Sequence, residues 1–388
     1  MNARRALSRI RVPDERGAEE RAWLTVRAAY EQRTSSPRRV RFRRPTGVAA
    51  AAVAIAVVVA LSPAGATVGR FVDRALGVPH AARALSALPA PGRVLVSGPD
   101  GTWIVNADGA ARHVGPWEHA SWSPHGLFLA VTAGDELAAV STRGSLQWML
   151  TRPDVSDARW YSPSGFRVAY ISGGELRVVA GNGTGDHLVA SPVAHVAPAW
   201  RPGHPYQLAY VASDGRVILR DDASGADLWS ANPRLRVHQL SWSADGRRLL
   251  ALTRTAALLY APDGRLLATR PAPGGGPITA GAVSPNGQHI AIVTAGSISA
   301  VTVYTADVAR PTARRVLTGA KLGQAAWSPN GKWLLVSWPA ADQWVFVHVN
   351  GQPQIAAVSR IAQQFTTFSR AHFPRLDGWC CTAPGAAG

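Results

Sequence analysis

The chain has 388 residues, 47% of them hydrophobic, with 37 glycines, 28 prolines and 14 tryptophans. That composition excludes a disordered or fibrous chain and supplies a large core interrupted by many turns. The formal charge of +17 is uneven, because residues 1–45 hold 13 arginines against 5 acids. No basic run interleaved with aromatics follows residue 70, so nucleic acid is not expected as a partner. The two cysteines, Cys380 and Cys381, are adjacent. That spacing is neither a disulfide framework nor a zinc pattern, and it leaves open a bridge between neighbours or two thiols.

From the N-terminus, the first predicted element is an amphipathic helix over 14–33 in a basic segment, 1–45. Asp14 caps its start, acids crowd the first turns and Arg33 closes it. Trp23, Val26 and Tyr30 form one narrow apolar stripe, fit to dock a cytoplasmic partner helix or to lie on a membrane surface. Residues 46–69 follow without a charge ("GVAAAAVAIAVVVALSPAGATVG", Gly47–Gly69). This run is long enough for one transmembrane helix. The preceding "RRVRFRR" (Arg38–Arg44) places the N-terminus in the cytoplasm and the rest outside a bacterial inner membrane. Ala64–Ala66 has the small-x-small form of a signal-peptidase site, so cleavage and export is the alternative. Residues 70–87 read as a juxtamembrane linker helix.

Residues 88–381 carry a repeat: "SWSPHG", "WYSPSG", "AWRPGHP", "SWSADG", "AVSPNG" and "AWSPNG". The period is near 40 residues and the intervening runs are strand-length, which specifies a β-propeller. The repeat positions are Trp122, Pro124, Gly126, Tyr161, Pro163, Gly165, Trp200, Pro202, Trp242, Gly246, Val283, Pro285, Gly287, Trp327, Pro329 and Gly331. The large side chain should pack between neighbouring sheets, with Pro and Gly shaping a tight turn. Laid over "RVHQLSWSA", the tail "FPRLDGWCC" puts Trp379 at the position of Trp242. The tail then supplies the missing strand of the first blade. The expected fold is therefore all-β, a seven-bladed propeller closed by a C-terminal strand, with six blades as the alternative. Residues 382–388 are read as a disordered tail.

The recurring Trp-Ser-Pro-x-Gly turn with its following strands resembles the TolB-type, WD-like β-propeller repeat, from about Leu88 to Cys381. The sequence departs from that pattern at Ala244, Val283 and Gly203-His204-Pro205. The helper domain that precedes the TolB propeller is not evident. The resemblance implies a fold used by binding proteins, regulators and protease accessory domains. The overall layout is also similar to that of membrane-bound bacterial regulators, including some transmembrane anti-sigma factors. Unlike those with a His-x-x-x-Cys-x-x-Cys zinc pattern, this cytoplasmic segment contains no cysteine.

No nucleophile elbow, His-Glu-x-x-His or phosphate loop occurs. The histidines have no ligand spacing on one strand, so no cofactor and no metal is expected. "GNGTGD" (Gly181–Asp186) reads as an Asn-Gly hairpin rather than a calcium loop. The functional expectation is a membrane-anchored extracytoplasmic binding or sensor module for a protein, peptide or wall glycan, relaying to a cytoplasmic transcription regulator. An exported envelope scaffold without signalling is the first alternative. A glycan hydrolase or lyase using loop carboxylates such as Asp135, Asp157, Asp221 and Asp222 is the second.

Overall fold

The central strands of each repeat are continuous apolar runs, not alternating ones. "FLAVTA" (Phe128–Ala133) and "ELAAVS" (Glu136–Ser141) bury their four middle residues on both sides. A sheet whose two faces both pack against other sheets requires this. The outermost strands alternate instead, as in Leu146–Thr151, because one side of each meets solvent. The computed structural model describes residues 87–161, 165–305, 312–349, 354–365 and 372–381. The helix predicted over 14–33, the span 46–69, the linker 70–87 short of its last residue, Pro163 and the tail 382–388 lie outside them. Among the described residues no helix is long and apolar enough to cross a membrane.

Seven antiparallel four-stranded sheets form the described structure. In six of them the four strands are consecutive in sequence. In the first, Arg93–Gly98, Gly101–Val105 and Ala111–Gly115 are joined by the C-terminal strand Arg375–Cys380. Val94 pairs with Trp379 and Arg93 with Cys380. The ring is thus closed by its own two ends and has seven blades, not six. Buried Leu88, Val94, Leu376 and Trp379 share one core cluster with Leu335 and Phe346 of the last blade. The excursion before closure adds a short helix, Ile361–Gln364. Its Ile361 is fully buried, and Phe365 sits 5.3 Å from Trp344 and 6.0 Å from Trp103, ring to ring.

The strand carrying the motif is the first of each blade. These first strands touch one another in sequence around the ring: His119–Trp122, Val155–Trp160, Ala199–Trp200, Val237–Trp242, Ile278–Val283, Ala325–Trp327 and Arg375–Cys380. They are therefore innermost and surround an axial channel. Because pairing is antiparallel throughout, every inner strand starts on one face of the ring and ends in its motif turn on the other. The hairpins between third and fourth strands share the motif-turn face, and those between second and third share the strand-start face.

Candidate functional site: the axial channel and its two mouths

The motif turns are built by the serine. Ser123, Ser284 and Ser328 accept the backbone N–H of Phe128 (2.9 Å), His289 (2.9 Å) and Trp333 (3.0 Å). Ser243 does the same for Arg248 at 3.1 Å. Three of these hydroxyls donate onward to Asp245, Asn286 and Asn330, whose side chains also accept the N–H two residues later. Each such serine carbonyl takes the N–H of the motif glycine. A residue with a left-handed φ is needed there: Gly246 has φ +65° and a Cβ would lie 2.5 Å from the Pro202 carbonyl oxygen of the preceding blade. The serine stands in every clean copy of the repeat, so its recurrence with Asp or Asn two places on was the available signal.

The packing residues follow one register. Trp122, Trp200, Trp242, Val283, Trp327 and Trp379 pair with Leu129, Leu208, Leu249, Ile290, Leu334 and Val94 of the adjoining strand. In the third blade that place belongs to Trp160, opposite Val168, and not to Tyr161. The turn there is one residue longer, with the Gly165 N–H bonded to the Tyr161 carbonyl. Tyr161 takes the serine's place and packs edge-on against Trp200, ring centroids 5.6 Å apart. Three indoles cross the seam to the preceding inner strand: Trp200 donates to Arg159 O (3.0 Å), Trp242 to Ala199 O (3.2 Å) and Trp327 to Ala282 O (3.0 Å).

Arginines add a second seam contact that the repeat did not announce. Arg93, Arg201 and Arg248 each donate to the carbonyl of the next blade's motif glycine: Gly126, Gly246 at 2.9 Å and Gly287 at 2.8 Å. Cys380 and Cys381 form a disulfide between neighbours. Cys381 Sγ lies 3.1 Å from the Pro124 carbonyl oxygen, so the end of the closing strand rests on the second blade's turn. "GNGTGD" is a hairpin turn, with Asn182 Oδ1 accepting from Thr184. Its Asp186 is taken up internally, accepting from Tyr170 (2.5 Å), Arg152 (2.8 Å) and Arg177 (2.7 Å). Burial raises that carboxyl, but the three donors outweigh it and hold it below its ordinary value.

The channel itself has two characters. Between the inner strands of blades five, six, seven and one lies a cavity of about 310 Å³, lined by small residues such as Gly281, Ala282, Ala325 and Gly378. Val283, standing where most other blades have Trp, opens part of this space. Gln239 spans the seam there, its amide paired with the N–H and C=O of Gly281. Toward the strand-start mouth, blades one to three bring charged groups inward. Buried Asp377 accepts from Ser97 and from Arg375, whose Nη2 is 2.6 Å away. Burial raises the Asp377 carboxyl despite the pull of Arg375. Arg159 donates to the Ala158 carbonyl at 2.8 Å, and desolvation lowers its pKa. His119 is held below its ordinary value first by burial and then by Arg375.

This arrangement can recognise charge and shape. Of the loop acids considered as catalytic pairs, Asp222 is bound by Arg167 and by His187 (2.9 Å), and Asp221 caps its own turn at Ala223 and Ser224. Among the described residues no group of three His, Cys, Asp or Glu side chains is placed to hold a metal. Asp157, by contrast, lies close enough to His119 and Arg159 to influence both electrostatically.

The chain is a seven-bladed β-propeller, and solved propellers resemble it at the level of fold. A chain of the mitotic checkpoint complex aligns with a TM-score of 0.55 and 16% identity, over 81% of this chain and 99% of its own. The β-propeller domain of Cps50 (Swd1) from Myceliophteria thermophila aligns at 0.50 and 13%, over 63% and 86%. The hydrazine synthase of Kuenenia stuttgartiensis reaches 0.48 and 14%, over 59% and 76%. No family model and no curated protein matches the sequence.

Proposed function

We propose that this propeller is the extracytoplasmic binding module of a single-pass, membrane-anchored protein, in the manner of the TolB-type repeat it resembles. Its ligand is a protein, peptide or wall polymer, and the stripe of Trp23, Val26 and Tyr30 passes occupancy to a cytoplasmic regulator. The observation that supports binding is the difference between the two faces. The motif-turn face spends its serine, Asp and Asn side chains on the repeat's own hydrogen bonds, and its exposed cations, such as Arg143, Arg247 and Lys332, are dispersed over blades two, five and seven. The strand-start face carries Arg234, Arg236, Arg254 and Lys321 exposed and, among the described residues, unpaired with any acid. Rigid rings with one such free face serve recognition.

The test is intact mass of the protein from native membranes, combined with protease treatment of spheroplasts. The reading requires an unprocessed N-terminus and a propeller digestible from outside. A chain beginning near Thr67 removes the relay, and a propeller protected in intact spheroplasts removes the extracytoplasmic site.

A further inference from the structure

The acids and bases of the strand-start face are segregated around the ring. Glu118, Asp135, Asp154, Asp157 and Glu175 lie on the strand-start side of blades one to three. From Ala231 to Ala341 the described chain has two acids, Asp245 and Asp263. Asp245 is inside a motif turn, and Asp263 is in the hairpin turn closed by Gly264 and Ala261. Both are therefore on the opposite face. The strand-start face of blades five and six, as described, contains no carboxylate side chain, and in blade seven the one there, Asp342, accepts the Ala362 N–H at 2.8 Å.

Cations fill that arc. Arg234 and Arg236 lie in the connection into the fifth blade and are exposed. Arg254, also exposed, forms the tip of the adjacent hairpin, where Val237 pairs with Thr253. The last of the arc, Lys321, lies before the seventh blade's inner strand. Close to Arg236 and Arg254, both ring nitrogens of His238 are shielded from solvent and have no partner. Cations gathered on one face without acid partners attract an anionic ligand.

The direction of this arc is set by how the chain enters the ring. Leu88 donates its N–H to Ala107 O in the hairpin between the third and fourth strands of blade one, and Gly92 abuts Pro329 of a motif turn. Both contacts are on the motif-turn face. The described chain therefore enters the ring on the motif-turn face, opposite the basic arc. The exposed large apolar side chains in the arc are Leu235 and Ile298, 43% and 52% accessible, and neither is an aromatic ring for base stacking.

From these placements we infer that the strand-start arc of blades five to seven binds an extended polyanion bearing phosphate or carboxylate groups, held by Arg234, Arg236, Arg254 and Lys321. Guanidinium forks suit both kinds of oxyanion. This binding does not rest on the membrane-anchored reading.

The test uses detergent-solubilised full-length protein and labelled polyphosphate, with polyglutamate as a second probe. Arg234→Ser/Arg236→Ser/Arg254→Ser is compared with Arg143→Ser/Arg247→Ser/Lys332→Ser, which removes the same charge from exposed positions on the motif-turn face. The expected result is a loss of about tenfold or more in affinity for the first variant, with a shallower salt dependence, and little change for the second. Equal losses in the two variants, or none, overturn the site. Tighter binding of single-stranded DNA than of either polymer, or capture by anionic vesicles that only the arc variant abolishes, overturns the ligand class. Because the assay needs no membrane topology, its failure is separate from failure of the membrane reading, which mass and protease access decide.

Discussion

The two faces of the ring are built by different rules. On the motif-turn face one device recurs: blades five, six and seven share a buried serine, an Asp or Asn two residues on and a glycine with positive φ, and in blades five and six an arginine from the preceding blade joins it. On the strand-start face a two-residue hairpin recurs in blades one, two, three and five, but the connections into the inner strands differ in length around the ring. Its connections range from the two-residue hairpin Arg254–Thr255 to the excursion that holds Phe365 between Trp103 and Trp344. One face holds the blades in register. The other is free to vary, and it carries the segregated charge. The difference teaches that periodic sequence marks the scaffold, while departures from the period mark the surface left free to vary.

That division can be broken at its strongest point by deleting residues 373–381. The first blade then loses its inner strand, and Val94 and Val96, both fully buried, lose their cover. The loss should approach the whole stability of a domain, about 5–15 kcal/mol. Urea unfolding followed by tryptophan fluorescence should show no cooperative transition; a transition at the parental midpoint contradicts closure by the tail.

A smaller but still large effect is expected for Trp327→Ala. Trp327 is 5% exposed and bridges a seam to Ala282. Its removal should destabilise by about 3–5 kcal/mol. Arg236→Ala, on the other face, should stay within about 0.5 kcal/mol. Similar midpoints for the two variants would erase the contrast between the faces.

Ser284→Ala tests the turn itself. It strands the His289 N–H and removes one of the two hydrogen bonds that the Asn286 oxygen accepts. Denaturant midpoints should report a loss of about 1–3 kcal/mol, as expected when a buried donor loses its acceptor. A neutral result would mean that water replaces the serine and that the motif is held by Gly and Pro alone.

The smallest effect is a pH dependence at His187. Burial lowers its pKa, but the Gly185 carbonyl and Asp222 outweigh burial and raise it overall. The raised folded value means that the contribution is complete below the unfolded value of about 6.5 and lost as pH rises through the folded one. His187 is nearly half exposed. The contribution should therefore be below about 1 kcal/mol. Stability measured from pH 5 to 9 should fall by that small amount in the parent and not in His187→Gln; a parental rise over the same window contradicts the assignment.

The blade count and its closure were legible because "FPRLDGWCC", laid over "RVHQLSWSA", puts Trp379 at the place of Trp242, and each then pairs with the second strand of its blade. The third blade shows the limit of such alignment. "RWYSPSG" offers two aromatics, and the turn's extra residue, visible only in the pairing, decides for Trp160. The pairing of Asp377 with Arg375 was present in the sequence as a neighbour pair, but its burial depends on Ser97, 280 residues earlier in the chain. The basic arc was hidden for a similar reason. Arg234, Arg254 and Lys321 are far apart in sequence and share only the fact that strand direction sends all three to one face.

The most direct measurement is photo-crosslinking in the native envelope from two exposed leucines. Leu235 is 43% accessible on the strand-start face, and Leu127 is 48% accessible in the second blade's motif turn. A photoreactive residue at 235 should give a discrete adduct, and the same residue at 127 should give none. Adducts from 127 and not from 235 would contradict the assignment of scaffold and binding roles to the two faces.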